Sequence, residues 1–308
     1  MLEQIIPPIR AKYGTFDSWD AKMDYQRGLA AHGWTAPGWP VELGGKGLTL
    51  EEQLDCDAEL SNFGTPQAPA VFGVKNVGPT IAAVGNDEQK KHLKAIADVT
   101  ELWCQGFSEP DYGSDLGGLR CRADLDGDTF VINGQKVWTS IGMHATHCML
   151  LVRTDQSAPK HKGISALLVP LDLPGVSRRP IKQINGHAEF AEMFFEDVRV
   201  PKSALLGPMN EGWRVTMATL EHERSGVITL AGALANGINE LVTPEALGSA
   251  SPIMRDRVMK LYSQGRILNW MGEQVLAEAQ GKGSSGTSSS LIKLQWSLLG
   301  RELSEVRM

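Results

Sequence analysis

Two short stretches carry the residues best suited to hold a reactive ligand. The first runs from Trp103 to Leu116 and reads Trp-Cys-Gln-Gly-Phe-Ser-Glu-Pro-Asp-Tyr-Gly-Ser-Asp-Leu. It begins as a short apolar strand. It then enters a turn where Pro110, Gly113 and the small side chain of Ser114 let the backbone approach a ligand closely. The hydroxyls of Ser108 and Ser114 flank that turn. The second stretch is Val137-Trp138-Thr139-Ser140, at the end of a strand. A flat aromatic beside two hydroxyls suits a planar heterocycle rich in hydrogen-bonding groups better than it suits a sugar or a metal.

A third candidate lies later, in Leu220-Glu221-His222-Glu223-Arg224-Ser225-Gly226. Counting about 100° per residue along a helix, the face below Glu223 continues through Gly226, Leu230, Leu234 and Gly237. A carboxylate heading such an apolar stripe is desolvated, which raises its pKa toward that of a useful base. The two glycines leave gaps for a bulky group. Taken by itself, a glutamate on a helix is ordinarily a solvated surface charge. His222-Glu223 is not a zinc motif, because no second histidine follows at the helical spacing one requires.

These residues need elements to position them. Residues 1 to about 100 alternate helical patterning with Gly/Pro turns. Helices are expected over Leu50–Phe63 and, capped by Asp87, over Glu88–Ile96, with an apolar helix over Phe72–Val84. From Trp103 to about Gly207 the pattern is that of strands: Arg120–Leu125, Thr129–Ile132, Gln135–Ser140, Cys148–Arg153, Ile164–Val169 and Ala191–Val200. Asp126-Gly127-Asp128 joins the first two, and Asn133-Gly134 reads as a two-residue hairpin turn. Helices return at Glu211, interrupted near Pro244–Pro252 and by the Gly/Ser-rich run Gly281–Ser290. The expected fold class is α+β. It comprises an N-terminal helical domain (1–102), a central antiparallel β domain (103–207) and a C-terminal helical bundle (208–308) that stops inside an amphipathic helix.

Composition narrows the function. The 308 residues can bury a substantial core, and a net charge of −6 with no basic cluster excludes the electrostatic signature of nucleic-acid or anionic-membrane binding. No apolar run approaches the roughly 18 residues of a membrane span, and Met1–Gly14 lacks signal-peptide order, so a cytoplasmic protein is expected. Cys56, Cys104, Cys121 and Cys148 are scattered without a Cys-x-x-Cys pair. Reduced buried thiols are expected rather than a disulfide frame or a metal site. Gly44-Gly45-Lys46-Gly47 fails as a phosphate loop: Pro40 stands five residues before Gly45, and no Ser or Thr follows the lysine.

In this order and at this spacing, the two central stretches resemble the flavin-binding middle of the acyl-CoA dehydrogenase family, and the likeness extends from about Trp34 to the end of the chain. The resemblance implies bound FAD, held by Gln105, Phe107, Ser108, Gly113, Ser114, Trp138, Thr139 and Ser140. Ser140 would stand at flavin N5, with Trp138 against the ring system and Gly113 and Ser114 near the cofactor phosphates and the substrate. It also implies α,β-dehydrogenation of an acyl-CoA thioester, in which a base takes the α-proton while hydride leaves the β-carbon. One group of the family carries that base just before an arginine on the first helix after the β domain. Glu223 fits that pattern, with Arg224 beside the substrate. One departure is Asp111-Tyr112, where many members have two small residues. The resemblance further implies an electron-transfer flavoprotein as acceptor, a bulky or branched acyl group akin to a sterol side chain, and a homo- or hetero-oligomer. Two alternatives stand beside it: an oxygen-using acyl-CoA oxidase-like enzyme, and a non-catalytic supporting subunit of a heteromeric dehydrogenase.

Overall fold

The structure is a computed structural model that describes residues 1–224, 227–280 and 286–308; side chains at 61–62, 221–224, 227–230, 233, 276, 278–280, 286–287 and 289 also lie outside the description. The chain divides into two compact units. The first comprises Met1–Thr49 and Glu59–His222, the second Leu50–Ala58 and Glu223–Met308.

The first unit opens with α1 (Leu2–Tyr13) and α2 (Trp19–Ala31), which bury Ile5, Ile6, Ile9, Tyr25 and Leu29 against each other. α3 (Leu50–Asn62) follows, with residues in both units. A π-helical turn, Gly73–Val77, then runs directly into α4 (Gly78–Val84). α5 (Asp87–Ala97) is capped by Asn86 rather than by Asp87. The Asn86 side chain accepts from Gln89 N while the Gln89 side chain accepts from Asn86 N, a reciprocal pair that satisfies two donors where one aspartate would satisfy fewer.

The sheet contains β1 (Trp103–Gly106), β2 (Arg122–Asp126), β3 (Thr129–Ser140), β4 (His147–Arg153), β5 (Ile164–Pro170), β6 (Val176–Ile181), β7 (Phe190–Pro201) and β8 (Leu205–Leu206). Its order is β6-β7-β3-β2-β4-β5-β8, with β1 added alongside β4. The sheet is mixed rather than purely antiparallel, because β4 runs parallel to β1 and meets β2 in parallel at Arg122 and Arg153. The intervening β2–β3 excursion supplies the long connection that a parallel pair needs.

β4 and β5 read as continuous apolar runs because both of their faces are covered. Cys148, Leu150, Val152, Leu167 and Val169 pack with Phe130, Ile132, Met193 and Phe195 from β3 and β7. Met149, Leu151, Ile164 and Leu168 pack instead with Val77, Ile81, Leu93 and Ile96 from the helices. Val215 of α6 (Gly212–Arg224) joins this second cluster. All four cysteines are free, and burial pushes the Cys121 thiol up to about 11.

Asn133-Gly134 does not turn a hairpin. β3 continues through it along β7, in one strand of 12 residues. Gly134 (φ 152) is needed there because a Cβ would lie 2.7 Å from the Cys121 backbone. Asn133 instead closes a bulge in β7: its Nδ2 donates to Asp197 Oδ1 at 2.9 Å, and Asp197 N donates to Asn133 Oδ1 at 3.0 Å. Asp197 takes φ 50 at that bulge.

In the second unit α7 (Val227–Asn239), α9 (Pro252–Gln280) and α10 (Gly286–Arg307) bury Leu234, Ile238, Leu261, Leu268, Ile292, Leu299 and Leu303 together. The expected Pro244–Pro252 interruption contains a short helix, α8 (Pro244–Ser249), capped by the Thr243 hydroxyl. Residues 281–285 of the expected Gly281–Ser290 loop lie outside the described residues, whereas 286–290 are already helical. Gly237 is not an open gap: Leu303 Cδ2 and Arg307 Nη2 both come within 3.5 Å of where its Cβ would be. Among the described residues, no helix is long and apolar enough to cross a membrane.

Candidate functional site

The site is built on a buried ion pair between the two sequence stretches. Lys136 of β3 is wholly buried, and Glu109, three residues past β1, is only 6% exposed. Lys136 Nζ donates to Glu109 Oε1 at 2.8 Å and to the Phe107 carbonyl at 3.0 Å. Glu109 also accepts from Arg120 N at 2.7 Å and Cys121 N at 2.8 Å. The charges therefore leave water with most of their hydrogen-bonding capacity used, the condition under which a buried pair is tolerated. One residue on, Val137 N donates to the Ser108 carbonyl at 2.9 Å. Phe107, Ser108 and Glu109 are thus clamped to Lys136 and Val137, immediately before Trp138.

Past this clamp β3 changes phase. Its buried positions run Phe130, Ile132 and Lys136, and then Thr139. The pairing with β7 advances from Lys136↔Met193 to Thr139↔Ala191, three residues on one strand against two on the other. That extra residue is a bulge. Trp138 takes φ 57 within it, a conformation that costs a bulky side chain on the order of 1 kcal/mol or more and gathers at functional sites. The bulge turns the Trp138 indole outward, 57% exposed and edge-on to Phe190 at 5.8 Å between ring centroids. It turns Thr139 inward, where its hydroxyl is buried without a hydrogen-bond partner.

Gln105 supplies a second such atom. Its Oε1 accepts from Asn76 Nδ2 at 3.3 Å, while its Nε2 is buried and unpartnered. Asn76 is itself buried in the π-helical turn before α4, a local distortion often found where a helix serves a site. Beyond Glu109, Tyr112 and Glu109 exchange both backbone hydrogen bonds and close the turn. The Tyr112 ring lies over Gly118, where an added Cβ would come within 2.5 Å of it, and the Arg120 guanidinium sits 5.2 Å from its centroid. The Tyr112 side chain of the Asp111-Tyr112 departure is accommodated by the absence of a side chain at 118.

Of the residues singled out from sequence, Phe107 and Ser108 belong to the clamp and Trp138 and Thr139 follow it directly, with Gln105 two residues before Phe107. Gly113 and Ser114 stand exposed farther along the turn, and a Cβ at Gly113 would meet nothing within 4 Å. Ser140 continues the ladder opposite Phe190, after it resumes at Thr139. The side chains of Glu223 and Arg224 lie outside the described residues, although both belong to α6. Glu109, Lys136 and Asn76 were not expected. A signal existed for one of them: Lys136 occupies an inward position in the period-two alternation that starts at Phe130.

Family models meet the chain on the same ground. The acyl-CoA dehydrogenase N-terminal domain matches residues 2–99, and the middle domain matches residues 104–198. The acyl-CoA dehydrogenase IpdE1 of Mycobacterium tuberculosis is 40% identical over 298 residues, covering 95% of this chain and 76% of that protein. The chain belongs to the acyl-CoA dehydrogenase family. Among solved structures it resembles the Tcur3481-Tcur3483 steroid ACAD, with TM-score 0.84 and 30% identity over 99% of this chain and 83% of that one. It also resembles the ChsE4-ChsE5 complex from Mycobacterium tuberculosis, with TM-score 0.80 and 31% identity over 99% and 81% of the two chains. The helical, sheet and helical order is that of the family fold, and the Trp138 bulge lies within the matched middle domain.

The clamp yields a direct test. Lys136→Met leaves the Glu109 carboxylate buried without its counter-charge, and urea denaturation should show a loss of about 3–5 kcal/mol. A loss under about 1 kcal/mol would mean that the pair is hydrated and does not hold the turn.

Proposed function

We propose that this chain is a flavin-dependent acyl-CoA dehydrogenase that oxidises a bulky or branched acyl-CoA to its α,β-unsaturated thioester. The observation that carries the proposal is the bulged strand at Trp138. Clamped to Phe107–Glu109, it turns the Trp138 indole outward and the unpartnered Thr139 Oγ1 inward, and Gln105 Nε2 of β1 is a second buried atom without a partner. A buried hydroxyl or amide with no partner costs roughly 1–3 kcal/mol. The heteroatom-rich edge of FAD is the kind of partner that removes this cost, so the residues present fit the cofactor that family membership implies.

Bound FAD supplies the hydride acceptor. The chain's own groups do the rest: Trp138 offers a flat surface to the ring system, while Thr139, Gln105 and Ser140 offer hydrogen bonds to its polar edge. Phe107 and Ser108 complete the cradle, and the open backbone at Gly113 and Ser114 admits phosphate and thioester groups. Glu223 would act as the base that takes the α-proton, and Arg224 would contact the substrate. The thioester proton is too weakly acidic for a free carboxylate, so Glu223 must work next to donors that stabilise charge developing on the carbonyl oxygen. An electron-transfer flavoprotein would be the electron acceptor.

Two observations favour work within an assembly. One solved relative is the ChsE4-ChsE5 complex, and another carries the paired name Tcur3481-Tcur3483. In the second unit Ile267, Trp270, Leu291, Leu294 and Leu298 are each between 44% and 55% exposed, more large apolar surface than an isolated helical bundle usually shows. The steroid designation of one relative supports a sterol-derived acyl group.

Three measurements test this reading. Anaerobic addition of a branched or ring-bearing acyl-CoA should bleach the flavin absorption, and Glu223→Gln should keep the colour but lose the bleaching. Bleaching by the variant at the wild-type rate would put the base elsewhere. Thr139→Val, nearly isosteric, should raise the stability of flavin-free protein by about 1 kcal/mol and weaken FAD roughly three- to tenfold. An unchanged FAD affinity would separate Thr139 from the cofactor. Light scattering of the loaded protein should give a mass above that of one chain, and a stable monomer at full activity would remove the assembly proposal.

A further inference from the structure

Three side chains unconnected with the flavin site meet where α5, the start of the sheet and β4 converge. His92 Nδ1 lies 2.8 Å from Glu101 Oε2, and His147 Nε2 lies 3.8 Å from Glu101 Oε1. Each residue contributes one ligand atom, and these atoms all lie within 4.8 Å of one another. The side chains are 28%, 18% and 19% exposed for His92, Glu101 and His147, sheltered yet within reach of an ion from solvent. We propose that His92, Glu101 and His147 form a binding site for one divalent transition-metal ion of the zinc class.

The donor set selects the ion. Two imidazole nitrogens and one carboxylate oxygen suit zinc and its neighbours, whereas magnesium and calcium take oxygen ligands. Three protein ligands leave a fourth position for water in a tetrahedral shell. Bonds of about 2.0–2.2 Å in that geometry set ligand atoms about 3.3–3.5 Å apart. Glu101 Oε1 lies 3.0 Å from His92 Nδ1 and 3.8 Å from His147 Nε2, and the three ligand atoms lie within 4.8 Å of one another, so the carboxylate and the two rings must shift by up to about 1.5 Å to close on the ion.

The groups around the ligands are arranged to aim them. Trp103 Nε1 donates to Glu101 Oε2 at 3.0 Å. Thr146 Oγ1 lies 3.0 Å from His147 Nδ1, which occupies that nitrogen and leaves Nε2 facing the carboxylate. Outer hydrogen bonds of this kind fix ligand orientation in metal sites. The fully buried Trp103 indole stacks on His147 at 4.9 Å and receives His92 edge-on at 5.2 Å between centroids, restricting both rings.

Such an ion would bridge three elements of the fold. It ties the α5 helix to the residue that leads into β1 and to the first residue of β4, the two parallel strands beside the flavin turn. Its contribution is to stability, by binding the folded chain and not the unfolded one.

The test uses tag-free, flavin-loaded protein stripped with a chelator, dialysed, and titrated with zinc chloride against a chromophoric competitor. One equivalent per chain is expected to bind, and zinc should raise the melting temperature. His147→Phe, which keeps a ring stacked on Trp103, and Glu101→Gln should each weaken that equivalent more than about tenfold and abolish the thermal shift. Far-UV circular dichroism and a cooperative unfolding transition establish that each variant is folded. Should either fail this check, His92→Gln, whose change sits on a helix surface, replaces it. The absence of a stoichiometric equivalent in the wild type, or equal zinc affinity in the wild type and the folded variants, overturns the proposal.

Discussion

Everything in the candidate site depends on a lysine and a glutamate that have left water together. Either charge alone in that position would cost several kcal/mol, and the pair is tolerated because its hydrogen bonds are nearly complete. Lys136 reaches Glu109 and the Phe107 carbonyl, while Glu109 takes two backbone N–H groups from Arg120 and Cys121. The interaction links three chain segments at one point. A turn that would otherwise be a loose Pro/Gly loop acquires a fixed position against β3.

That fixed point allows strain nearby. Trp138 and Ile141, both with positive φ, flank Thr139 and Ser140 at the end of β3. A bulky residue and a β-branched one in such conformations survive only where surrounding contacts over-determine them. The clamp on one side and the Ile141 N to Glu189 carbonyl hydrogen bond on the other, 2.8 Å long, supply those contacts. The result is an indole facing outward beside a hydroxyl facing inward. Simple alternation along the strand would reverse the two.

The helices carry this arrangement without taking part in it directly. Val77, Ile81, Leu93 and Ile96 cover one face of the sheet, which leaves its other face free to close on β3 and β7. Asn76 links the two levels, since it sits in the π-helical turn of this cover and donates to Gln105 in β1. Family membership is consistent with this division of labour, because the matched N-terminal and middle segments correspond to the cover and to the sheet.

The sequence by itself determined the order of helix, sheet and helix, most strand positions, and the two stretches that the ion pair joins, because apolar periodicity and Gly/Pro placement are local properties. It also carried the family likeness, since Phe107–Ser114 and Val137–Ser140 are read directly as residues. Only the tertiary structure decided the rest. Asn133-Gly134 looked like a hairpin, but β7 offered a longer partner and Gly134 was needed for close approach to Cys121. Gly237 looked like a gap until α10 filled it with Leu303. The Trp138 bulge, the Glu109–Lys136 pair and the His92–Glu101–His147 cluster arise between residues distant along the chain. No local pattern reports a contact whose energy comes from what the rest of the fold excludes: water from a buried charge, or an alternative register from a strand.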